Sequence, residues 1–133
     1  MTDGRPRLRI AALVPSPLQV RLLAAVEQLP GMMVCILTGR HDVALLPDIV
    51  SLVVVDPMSG GPALVATIRQ LLHRGSPWPL LAYTAITHAS ADIVLTLGRQ
   101  GLRDVVFTPY EDPPARFART LWRVATAPRD GQT

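Results

Sequence analysis

The run Leu52-Val53-Val54-Val55-Asp56-Pro57 constrains the fold more than any other stretch of this chain. Four apolar residues, three of them β-branched, lead into an acid and then a proline. A short apolar run without polar alternation suits a strand covered on both faces, and such strands belong to parallel sheets. Parallel strands need crossover connections, usually helices. The run therefore predicts an α/β fold. It also delivers Asp56 to the carboxyl end of a strand, where open α/β sheets gather ligands and chemistry.

The rest of the chain supplies the alternation. Arg9 to Val14 reads as a first strand, and Pro17 to Leu29 as a helix with its apolar face at Leu18, Leu22, Ala25, Val26 and Leu29. Pro30-Gly31 ends that helix, Met33 to Thr38 is a second strand, and Gly39 to Pro47 is a short or irregular helix. After Ser51 to Asp56, Pro62 starts a helix whose stripe is Leu64, Val65, Ile68, Leu71 and Leu72. Leu80 to Thr84 is a fourth strand, Ser90 to Gln100 a helix stopped by Gly101, and Asp104 to Thr108 a fifth strand. Asp112-Pro113-Pro114 opens a last helix, with Asp112 as N-cap and Phe117, Leu121 and Val124 toward the sheet. Strict alternation predicts five parallel strands with about five helices on both faces, a three-layer sandwich.

A chain of 133 residues is one domain, here placed at residues 9–127. Residues 1–8 are read as a flexible N-terminus and 128–133 as a flexible tail or the start of a linker. A composition with 49% hydrophobic and 17% charged residues excludes a disordered chain. No apolar run approaches the roughly 18 residues of a membrane span. The basic start of the chain lacks the apolar segment of a secretory signal, so a cytoplasmic protein with no membrane partner is expected. All 13 basic residues are arginines, so no Schiff-base or P-loop lysine exists. They are scattered, which argues against direct nucleic-acid binding by this chain. The single cysteine, Cys35, lies in the apolar run Met32 to Leu37 and reads as a small buried hydrophobe.

From Ser51 onward the landmarks resemble response-regulator receiver domains, a CheY-like family. Asp56, Pro57 and Gly60-Gly61 resemble the acid, proline and glycine that follow strand three in receivers. Thr84-Ala85 resembles the hydroxyl and small residue after strand four, and the stretch Gly101 to Pro109 the glycine and proline around strand five. The resemblance implies a flavodoxin-like fold with strand order 2-1-3-4-5. It makes Asp56 the phosphoacceptor-like position and Pro15, Ser16, Thr84 and Thr108 the equivalents of the receiver pocket.

The departures from that pattern carry the functional reading. Receivers hold magnesium with an acidic pair after strand one, and here Pro15-Ser16 stands there. Thr108 replaces the lysine before the strand-five proline, and Val105 replaces the aromatic switch residue. Phosphoryl transfer is positioning plus neutralisation of charge on the phosphoryl oxygens. One hydroxyl hydrogen bond, about 1 kcal/mol net, does not replace two cations. The reading is a degenerate pseudo-receiver: no enzyme, no catalytic residue, no cofactor and no metal. The plainer account of Asp56 is a strand-end acid that accepts backbone N–H groups in the next turn. The alternatives are a phosphoaccepting receiver that uses Asp56, or a small-molecule sensor of flavodoxin-like fold.

Three other features carry less. Ser59-Gly60-Gly61 lacks a P-loop or dinucleotide fingerprint and reads as a helix cap. His41, His73 and His88 have no ligand spacing, and His88 is placed near enough to Asp56 for a pair to be tested. On the last helix, Trp122, Arg116, Arg119 and Arg123 lie off the apolar stripe, next to Arg99, Arg103 and Asp104. Tryptophan and arginine are favoured interface anchors. With the resemblance, they imply a homodimer through helix four, strand five and helix five. The function expected is a regulatory module acting by protein contact in two-component signalling. It would be the N-terminal part of a transcription regulator, with a downstream DNA-binding domain or a partner regulator.

Overall fold

Each apolar run becomes a strand of one parallel sheet. The computed structural model describes residues 8–46, 49–75 and 77–127. In chain order these form β1 (Leu8–Leu13), α1 (Ser16–Val26), β2 (Met32–Ile36), α2 (Arg40–Ala44) and β3 (Leu52–Val55). They continue with α3 (Gly61–Arg74), β4 (Leu80–Ala85), α4 (His88–Arg99), β5 (Asp104–Thr108) and α5 (Pro114–Thr126). The sheet order is β2-β1-β3-β4-β5, with every pair parallel. The three-layer sandwich predicted from the alternation, with the flavodoxin-like order 2-1-3-4-5 that the receiver resemblance implies, is the fold observed.

The strand β3 shows why. All four of its side chains are buried. Leu52 and Val54 pack with Leu18 and Leu22 of α1 and Phe117, Leu121 and Val124 of α5. Val53 and Val55 pack with Leu64, Ile68 and Leu71 of α3 and Leu97 of α4. A strand at the centre of three layers has no solvent side, so alternation disappears from its sequence. Burying a side chain of this size contributes about 1.5–3 kcal/mol, and Phe117, Leu121 and Val124 face the core as predicted.

The first helix ends at Val26 rather than Leu29 and the second strand at Ile36 rather than Thr38, and four further expectations change. Cys35 is exposed, not buried. It sits on edge strand β2, on the face opposite Met32, Val34 and Ile36, where the only following helix is the five-residue α2. The α4 helix starts at His88 rather than Ser90, because Thr87 and Ser90 form a capping box: the Ser90 N–H donates to Thr87 Oγ1 (3.0 Å) and the Thr87 N–H to Ser90 Oγ (2.8 Å). The N-cap of α5 is Pro113, and Asp112 makes no cap. Leu8 belongs to β1, paired with Met32, so the domain begins one residue earlier than expected. The remainder of the two segments expected to be flexible, residues 1–7 and 128–133, lies outside the described residues.

Two glycines are set by geometry. Gly75 caps α3 at φ 71°, a left-handed conformation that costs glycine little. A Cβ on Gly60 would sit 2.7 Å from the Leu64 Cβ, so the turn after β3 closes tightly on α3.

Candidate functional site

The carboxyl ends of β1, β3, β4 and β5 surround a depression of about 330 Å³. Pro15, Pro17, Leu18, Asp56, Met58, Thr84, Ala85, Thr87 and Thr108 line it. Of the five positions the resemblance selected, Pro15, Asp56, Thr84 and Thr108 therefore come together. Ser16 does not line it; it is the exposed first residue of α1.

Asp56 is only 7% exposed. Its own N–H donates to the Leu13 carbonyl (3.0 Å), which ties the end of β3 to β1. Oδ1 accepts the Met58 N–H (2.9 Å), and the Asp56 carbonyl accepts the Ser59 N–H (3.1 Å) and hydroxyl (2.8 Å). The acid thus closes its own turn, as the plainer sequence reading had it. Oδ2 accepts nothing among the described residues, and no described arginine pairs with it. His88 is exposed, does not line the depression and makes no bond to Asp56.

Of the lining residues, Pro15 and Pro17 carry no backbone N–H. The Met58 N–H is spent on Asp56 itself. Magnesium, which receivers place here, needs a set of oxygen ligands that includes one or two carboxylates. Asp56 is the sole carboxylate lining the depression, and no group of three His, Cys, Asp or Glu among the described residues could hold a metal. The residues present do not fit that ion.

Thr108, at the end of β5, lines this depression, but its hydroxyl is bonded elsewhere. Its hydroxyl donates to Asp112 Oδ2 (2.6 Å), which also accepts the Tyr83 hydroxyl (2.5 Å). Arg21 of α1 reaches the same carboxylate at 3.3 and 3.4 Å. Asp112 is 1% exposed, and Tyr83 stacks at a tilt on Phe117 with ring centroids 4.6 Å apart. Burial, and then the bond to Asp112, push the Tyr83 hydroxyl well above its ordinary pKa of 10.0. Sequence reasoning missed this network. Its members are 29 and 91 residues from Asp112, and an acid before two prolines looks like a helix cap.

The interface candidates divide. Arg123 pairs with Asp104 of β5 (2.6 Å), and Arg116 with Glu111 (3.7 Å). Arg99 is exposed at the end of α4, and half-buried Arg103 leads into β5. Trp122 and Arg119 lie elsewhere: with Gln28, Leu29 and Pro30 they line an apolar groove between α1 and α5. Trp122 is 43% exposed there.

Fold and site define a class: an α/β sandwich of receiver-like fold with an acid at the end of its third strand and, among the described residues, no cation paired with that acid. No family model and no curated protein matches the chain. Among solved structures it is similar to a protein described as pilus assembly-related from Burkholderia pseudomallei, with 22% identity and a TM-score of 0.71 over 93% of this chain and 95% of that one. It is similar to a response regulator from Thermotoga maritima, with 14% identity and a TM-score of 0.69 over 90% and 99%. The non-phosphorylated HemR receiver domain of Leptospira biflexa gives 22% identity and 0.66 over 92% and 97%. At these identities the likeness is one of fold.

Proposed function

We propose that this chain is a receiver-like regulatory module that is not phosphorylated and acts by protein contact. One observation carries the reading: Asp56, at the end of the third strand of a receiver-like fold, pairs with no described cation, and Pro15 and Pro17 line its depression. A phosphoryl group arriving there would bring charge that nothing in the lining neutralises. The decisive experiment is intact-mass measurement after incubation with acetyl phosphate and magnesium. No mass gain is expected; phosphorylation lost in Asp56→Asn would overturn the reading in favour of a phosphoaccepting receiver.

The contact is assigned to the face formed by α4, β5 and α5, and to a second copy of the chain. Charges of both signs lie there, with Arg99, Arg103, Arg116 and Arg123 beside Asp104 and Glu111. Such mixtures suit a twofold contact in which acid meets base. The role as N-terminal module of a transcription regulator rests on the receiver resemblance. The Burkholderia neighbour favours a second reading, in which the same non-phosphorylated module serves a pilus-type assembly. Pull-down with this protein separates them: capture of a transcription regulator supports the first, capture of a pilus-assembly protein the second.

A further inference from the structure

We propose that the depression over Asp56 is a binding site for an organic cation, a guanidinium or primary ammonium head. This deepens the reading of Asp56 as an acid that is not phosphorylated. Two polar side chains more than nine-tenths buried line the depression with nothing bonded to their remaining acceptors. Asp56 Oδ2 accepts no donor, and the Thr84 hydroxyl, on a residue 2% exposed, makes no side-chain bond among the described residues. Neither atom is sealed from the surface. Thr108 also lines the depression, and because its proton goes to Asp112 its hydroxyl oxygen is left as an acceptor.

The lining is therefore a carboxylate oxygen and hydroxyls, with one formal negative charge and no charged donor. Its two prolines, Pro15 and Pro17, offer an anion no backbone N–H. Its other hydroxyl, on Thr87, is committed to capping α4. A guanidinium supplies several N–H donors in a plane and no acceptor, which is the complement of this set. The apolar surfaces of Pro15, Pro17, Leu18 and Met58 would cover the alkyl stem behind such a head.

The test is an amide-resolved NMR titration of the 133-residue chain with n-butylguanidinium, with neutral n-butylurea as control. The amides of Met58 and Thr84 are expected to shift saturably with the cation through the millimolar range, and not with the urea. Asp56→Asn keeps an acceptor for the Met58 N–H and should weaken binding about tenfold or more; Thr84→Val should weaken it less. Equal response to cation and urea, unchanged binding by Asp56→Asn, or a saturable response to magnesium with none to guanidinium would overturn the proposal. An acetylated, amidated Gly-Arg-Gly peptide assigns the source. Tighter binding than butylguanidinium supports an arginine side chain of a partner, and weaker binding supports a free small cation. Failure here leaves the mass test of phosphorylation untouched, and a mass gain there is independent of these shifts.

Discussion

At the scale of single residues, two acids have opposite fates. Asp56 was visible because an apolar strand ends on it, and its local turn bond could be anticipated from the Asp-Pro sequence. Asp112 was not visible, because its partners come from α1 and β4 and only folding joins them. Asp112 carries the larger consequence for stability. Replacing it by alanine leaves the buried Tyr83 hydroxyl without its acceptor and removes the only carboxylate paired with Arg21 among the described residues, so a loss of about 2–4 kcal/mol is expected in urea unfolding. Tyr83 makes a related prediction with a definite sign. Its folded pKa is raised, so its contribution to stability is complete below the unfolded value of 10.0 and declines as pH rises above it. In a Tyr110→Phe background, where Tyr83 is the only tyrosine, phenolate absorbance should stay absent above pH 10.0 until the protein unfolds.

At the scale of elements, the apolar periodicities placed all five strands and the main helices, because burial on the sheet dictates them. Boundaries followed from hydrogen bonds that periodicity does not report. The α4 helix begins two residues before its predicted start because the Thr87–Ser90 capping box satisfies the free N–H groups of the first turn. Thr87→Ala should destabilise the protein by about 1 kcal/mol and lower amide protection at the start of α4. Cys35 makes the same point for β2: an apolar run on an edge strand with a short neighbouring helix leaves one face open. Its thiol should react readily with an aqueous disulfide reagent in the native state.

For the whole molecule, the question is which face meets another protein. Side chains that look like one patch along the α5 sequence turn to two sides of the helix, Arg116 and Arg123 beside β5 and Trp122 and Arg119 beside α1. Sedimentation equilibrium separates them. Arg116→Glu with Arg123→Glu should weaken self-association about tenfold or more, while Trp122→Ala leaves it within about twofold. The reverse order would assign the contact to the α1–α5 groove. The exposed ion pairs these arginines make within the chain contribute at most about 1 kcal/mol, so the charge reversals should not unfold it.

The sequence by itself determined the parallel α/β sheet, the position of Asp56 at the end of its central strand and the departures from the receiver pattern at Pro15-Ser16 and Thr108. Each is written in local order: an apolar run, the residue that ends it, and the spacing to the next run. Only the tertiary structure decided that Thr108 is bonded to Asp112, that Asp56 and Thr84 line one depression while Oδ2 and the Thr84 hydroxyl take no bond among the described residues, and that Trp122 lies apart from Arg123. Those facts depend on the direction of side chains from elements far apart in the chain. The packing of α1 and α5 against the sheet fixes those directions, and local sequence does not encode them.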